Sequence, residues 1–134
     1  MTFRDTQRDA LLLAALPHIA FDGWTDSALL AGAADAGLEP ADVLRFFPGG
    51  ACEAVRAFSI WADREMIKAL GAADLSALRH SEKIAFAVRA RLEALLPHRE
   101  AVRRSLGFLA LVPNVPAGLQ MLYRTVDEMW HAVG

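Results

Sequence analysis

The sequence has one cysteine, one tyrosine and, in 134 residues, only sixteen Val, Ile and Thr together. A lone Cys52 excludes an internal disulfide and any cysteine-based zinc site, and the scarcity of β-branched residues argues against a sheet. No apolar run approaches the ~20 residues that a helix needs to cross a bilayer. The opening Met1-Thr2-Phe3-Arg4-Asp5 shows neither a charged-then-apolar signal region nor the acid-poor composition of a transit peptide. There is no Gly-x-Ser-x-Gly elbow, phosphate loop or dinucleotide fingerprint, and Pro48-Gly49-Gly50 is an isolated turn. Glu128 and His131 form one Glu-x-x-His pair, whereas a di-iron bundle needs two such pairs and two more glutamates; the pair reads as a solvated acid and histidine one turn apart. Cys52 has no histidine at a predictable distance and reads as a buried or idle thiol. These absences leave no catalytic constellation, metal set or resident cofactor, so the chain reads as a non-enzyme.

What is present is alanine and leucine, 26 and 19 residues, a third of the chain. Both favour helix. Apolar residues reach 54% and mean hydropathy is +0.26, so the apolar surplus must be buried or held out for something apolar. Length and composition predict a single all-α domain over 1–134 with six to seven helices. Turn residues divide it. The first helix is expected over 4–16, stopped by Pro17. A second follows Thr25, a suitable N-cap, and closes at Gly37, which suits a left-handed C-terminal position. Pro40 opens a short third helix, where its missing N–H is harmless, and Pro48 ends it. Longer helices are expected over 52–70, 82–96 and 100–111, and a last one carries the apolar stripe Leu119, Leu122, Tyr123, Val126, Met129, Trp130 and Val133.

Charge is distributed unevenly around a net −2. Over 21–50 there are five acids and one base; over 79–104 there are seven bases (Arg79, Lys83, Arg89, Arg91, Arg99, Arg103, Arg104) and three acids. The basic run is expected to be a solvated face with local ion pairs, or a contact for anionic lipid headgroups at a membrane surface.

The segment Gly23-Trp24-Thr25 through Ala33-Ala34, followed by Ala36-Gly37-Leu38-Glu39-Pro40-Ala41-Asp42-Val43-Leu44-Arg45-Phe46-Phe47, resembles the helix-turn-helix of TetR-type regulators. A recognition helix must neutralise phosphates, yet this one offers Glu39, Asp42 and a single Arg45, so DNA is a disfavoured partner and a DNA-binding transcription regulator is the lesser alternative.

Three further blocks resemble the accessory proteins of ubiquinone biosynthesis, the family numbered nine in the coenzyme Q pathway. They are Ala15-Leu16-Pro17-His18-Ile19-Ala20-Phe21-Asp22-Gly23-Trp24, Phe47-Pro48-Gly49-Gly50, and Leu122-Tyr123-Arg124-Thr125-Val126-Asp127-Glu128-Met129-Trp130-His131-Ala132-Val133-Gly134. The resemblance implies a TetR-like helical bundle, dimeric in its full-length form, that binds isoprenoid or phospholipid and presents quinone intermediates to a di-iron hydroxylase without catalysing a reaction itself. On this reading 1–70 is the helix-turn-helix-like part and 71–134 begins the ligand-binding and partner-docking part. Members of the family continue past the position of Gly134 with helices that close the lipid pocket, form dimer contacts and attach to membranes, so C-terminal helices are expected to be missing here. The expected location is the cytoplasm, peripheral at the inner face of the membrane, or the mitochondrial matrix in a eukaryote.

Lipid contact is expected from apolar residues on helices that line a cavity: Ile84, Val88, Leu92, Leu106, Leu109, Leu119, Leu122 and Val126. Family docking positions carry over to Trp130 and His131, where histidine replaces the second aromatic, with Asp127 and Met129 beside them. A docking adaptor without lipid is a further alternative. Read from its stripe alone, Trp130 falls with Val126 and Val133 in the core, and Trp24 is a packed anchor at the start of the second helix. The apolar surplus predicts an exposed patch on the last three helices, or a dimer that hides it.

Overall fold

The computed structural model describes residues 2–133; Met1 of the N-terminal reading and Gly134 of the closing block lie outside them. Seven α-helices follow one another: α1 (Phe3–Asp22), α2 (Asp26–Asp35), α3 (Pro40–Phe46), α4 (Ala51–Ala72), α5 (His80–Leu95), α6 (Arg99–Leu109) and α7 (Val115–Val133). Short 3₁₀ turns at Leu96–His98 and Val112–Asn114 join the last three, and there is no strand among the described residues. The all-α expectation holds.

Local chemistry sets most of the boundaries. The Thr2 hydroxyl accepts from Asp5 N–H at 3.1 Å while the Asp5 carboxylate accepts from Thr2 N–H at 3.3 Å, a capping box that starts α1. Thr25 accepts from Ala28 N–H at 3.2 Å and starts α2. Gly37, at φ +74°, ends α2 in a Schellman arrangement: Leu38 N–H donates to Ala33 C=O at 2.8 Å and Gly37 N–H to Ala34 C=O at 3.2 Å. Pro40 opens α3 as expected.

Pro17 does not end the first helix. α1 runs five residues further, because Pro17 lies on the solvent face and the carbonyl it leaves unpaired, that of Leu13, belongs to a residue that is itself exposed. On the other face Leu11, Leu12, Ala15, Leu16 and Ile19 are buried on both sides of the proline and hold the helix together. Arg104 of α6 then caps its end, donating to the carbonyls of Ala20 at 3.0 Å and Phe21 at 3.2 Å. The start of α5 is two residues earlier than the stripe predicts, and α6 stops two residues sooner, where the chain turns at Leu109–Ala110.

Two apolar clusters make the core. The larger joins α1, α2, α3 and the first half of α4 to Ala101 of α6 and Met121 of α7. Within it Gly32 of α2 sits against Ala15 of α1 so closely that a Cβ would fall 2.6 Å from the Ala15 Cα. Trp24 is buried, stacks obliquely on Phe58 at 5.5 Å and donates from Nε1 to the Ala101 carbonyl at 3.1 Å, the packed anchor expected of it. The smaller cluster, Met66, Leu70, Ala87 and Val133, lies toward the ends of α4 and α7 and in the first half of α5. Between the two lies a polar layer.

Candidate functional site

Asp63 of α4 is the centre of that layer and is 1% exposed. Its Oδ1 accepts from Arg91 Nε of α5 at 2.9 Å and from the Thr125 hydroxyl of α7 at 2.8 Å. Arg91, whose side chain is 20% exposed, also donates from Nη2 to the Ser59 hydroxyl at 3.1 Å. Asp63 Oδ2 is buried without a hydrogen bond among the described residues, with Arg124 Nε 3.8 Å away; Arg124 in turn lies 3.7 Å from Glu128. Two acids and two bases therefore balance, and a charge that would be costly alone in an apolar interior is paired. Arg91 and Thr125 lie 28 and 62 positions from Asp63 along the chain, so three helices have to pack before the layer exists.

On the larger cluster's side of this layer, α4, α5, α6 and α7 enclose a half-open cavity of about 180 Å³. Ser59, Arg91 and Thr125 form its polar floor. Val55 and Phe58 of α4, Leu95 of α5, Val102 and Leu109 of α6 and Met121 of α7 form apolar walls. Leu106 and Leu122, 64% and 62% exposed, stand at the rim. An apolar cavity of about 150 Å³ accepts one benzene ring, so this one takes a ring or the end of a chain, and a longer apolar ligand must leave through the rim. A wider cleft of about 750 Å³ lies between Pro17 of α1 and Pro97–Glu100, but Arg99 and Glu100 line it and it contains none of the expected lipid contacts.

The eight expected lipid contacts separate. Leu106, Leu109 and Leu122 meet in the cavity; Val88 and Leu92 instead line a shallow groove on the outer face of α5 with Ala85 and Leu96. Ile84 packs against the smaller core cluster. Leu119 and Val126, 63% and 44% exposed, point outward from α7. Periodicity finds the apolar face of each helix but not which faces meet, and so Val55, Phe58, Leu95, Val102 and Met121 escaped it as cavity walls. Arg91 escaped for another reason: in sequence it belongs to a basic run, and in space it turns inward.

That run is not one face. Arg79 and Arg103 pair with Glu82 and Glu100 on their own helices, Arg104 caps α1 and Arg91 lies in the polar layer. In α3, Arg45 pairs with Asp42 at 3.1 Å and lies over the Phe46 ring at 4.6 Å, so the one base of the recognition helix is already engaged.

The expected docking residues lie at the end of α7. Trp130 is 56% exposed and stacks on His80 of α5 at 5.0 Å, which corrects its placement in the core: the stripe on α7 is wider than the face that the other helices cover. Met129 packs inward against the smaller cluster. His131 is exposed and donates from Nδ1 to the Asp127 carbonyl at 2.8 Å; this bond and the Asp127 carboxylate at 3.5 Å favour its imidazolium and raise its pKa above the ordinary value. Glu128 turns to Arg124 instead of His131, and no group of three metal-ligating side chains occurs among the described residues. On the last three helices and the turns that join them, Leu92, Leu96, Leu111, Leu119 and Tyr123 are each more than half exposed. No described helix is long and apolar enough to cross a membrane.

No family model matches the chain. Among curated proteins it is similar to ubiquinone biosynthesis protein COQ9, mitochondrial, from Rattus norvegicus, at 32% identity over 133 residues covering 92% of this chain and 42% of the relative. The protein of the same name from Homo sapiens is 33% identical over 131 residues, covering 92% and 41%. That from Drosophila melanogaster is 28% identical over 134 residues, covering 97% and 41%. The chain thus spans about two-fifths of the length of the relatives it matches. At 32–33% identity to the rat and human proteins, this chain is homologous to the COQ9 proteins of ubiquinone biosynthesis over 92% of its length.

Proposed function

We propose that the chain is a non-catalytic, lipid-binding accessory protein of ubiquinone biosynthesis that presents quinone intermediates to a di-iron hydroxylase. The observation that carries this reading is the homology to COQ9 proteins, whose name places them in that pathway. The half-open cavity supports it, since it has the size and lining for one end of an isoprenoid or phospholipid. One turn to either side of Leu122 on α7, the exposed Leu119 and Val126 offer further apolar surface to the part of the ligand that leaves the rim. The exposed Trp130, with Asp127 and His131 beside it, is the docking point for the hydroxylase, because a large, half-exposed aromatic is the kind of residue that anchors an interface. The reaction belongs to that partner, and contact with the membrane is peripheral.

Native mass spectrometry and lipid extraction of the purified protein test the reading. An isoprenoid or phospholipid should co-purify. A protein that carries none, and takes up none from vesicles or micelles, overturns it.

A further inference from the structure

The cavity has a polar floor that an ordinary lipid tail does not need. Burying Arg91 beside apolar walls is unfavourable unless its donors are used. Asp63 takes Nε and Ser59 takes Nη2, which leaves Nη1 without a hydrogen bond among the described residues, on a side chain that lines the cavity. An acceptor oxygen on the ligand completes it. The charge of that ligand follows from the layer beneath, where Asp63 and Glu128 offset Arg91 and Arg124. An anion would bring an unbalanced charge against the apolar walls of this half-open cavity, whereas a carbonyl or ether oxygen brings none.

We infer that Arg91, held in place by Asp63 and Ser59, makes this cavity selective for a neutral, oxygen-bearing ring or chain end over an anionic one of the same size. This rests on the reading of the cavity as a lipid site and specifies the chemistry of the end that enters it. Arg91 is the specificity-determining residue, and Asp63 is the positioning residue that acts through it.

The test uses three ring probes on the unaltered chain: acetophenone, benzoate and ethylbenzene, each followed by NMR titration of the methyl groups of Val102, Leu109 and Met121. Acetophenone should bind about tenfold more tightly than either of the others, the scale of one hydrogen bond to a charged donor. Arg91→Lys keeps the charge opposite Asp63 but loses the guanidinium fork, and should bring acetophenone to the affinity of ethylbenzene while leaving ethylbenzene unchanged. If Arg91→Lys does not fold, the comparison of the three probes decides alone. Benzoate binding as well as acetophenone, ethylbenzene binding as well as acetophenone, or selectivity that survives in Arg91→Lys overturns the inference and leaves the lipid reading standing. If none of the three moves the cavity methyl signals at millimolar concentration, the inference falls, and if the protein also takes up no lipid from vesicles the lipid reading falls with it.

Discussion

Replacing Asp63 by alanine strands the Arg91 guanidinium, four-fifths buried, against an apolar cavity and removes the acceptor of the Thr125 hydroxyl. Breaking a buried pair from one side is expensive, and Asp63→Ala should destabilise the fold by about 3–5 kcal/mol in urea titration. Two histidines give stability opposite pH dependences. His98 lies edge-on to Phe58 and Trp61, and burial holds its pKa below the ordinary imidazole range. The unfolded chain then binds its proton more readily, so this contribution is full above the ordinary value and is lost as pH falls toward the lowered one. His131 is the reverse. Its raised pKa favours the fold below the ordinary value, and that contribution is lost as pH rises through the raised one. Thermal melts across the imidazole range should therefore show His98→Gln flattening the acid-side loss and His131→Gln flattening the change on the neutral side.

At the level of elements, α1 and α2 pack through the one position where only a hydrogen fits. Gly32→Ala places a methyl 2.6 Å from the Ala15 Cα, a backbone atom that cannot swing aside, so the helices must separate; the expected loss is about 1–3 kcal/mol in chemical denaturation. Gly37→Ala meets no neighbour within 4 Å, and its loss, about 1 kcal/mol, comes solely from the left-handed backbone at φ +74°. Comparing the two separates packing from conformation. The caps at Thr25, Gly37 and Pro40 were readable from sequence because each depends on residues within one helical turn. Pro17 was misread because its effect depends on which face of α1 is buried, and that is settled by α2, α4 and α6.

For the whole molecule, the apolar surplus noted in the composition is divided between a core of two clusters, a cavity, and an exposed face on α5 to α7. Trp130→Ala at that face should leave the helical circular dichroism intact and lower the melting temperature by only a few degrees, about 1 kcal/mol for the lost stacking on His80, and on the proposed docking role it should abolish hydroxylase binding measured by pull-down or titration. Unfolding of Trp130→Ala would return the residue to the core. By itself the sequence determined the helical class, most helix ends and the resemblance to the COQ9 proteins, because these depend on composition and on neighbours a few residues apart. Only the tertiary structure decided that Arg91 leaves the basic run for Asp63, that three of eight apolar candidates share a cavity, and that Trp130 faces outward. Those outcomes depend on which helix faces meet, and residues tens of positions apart settle that together.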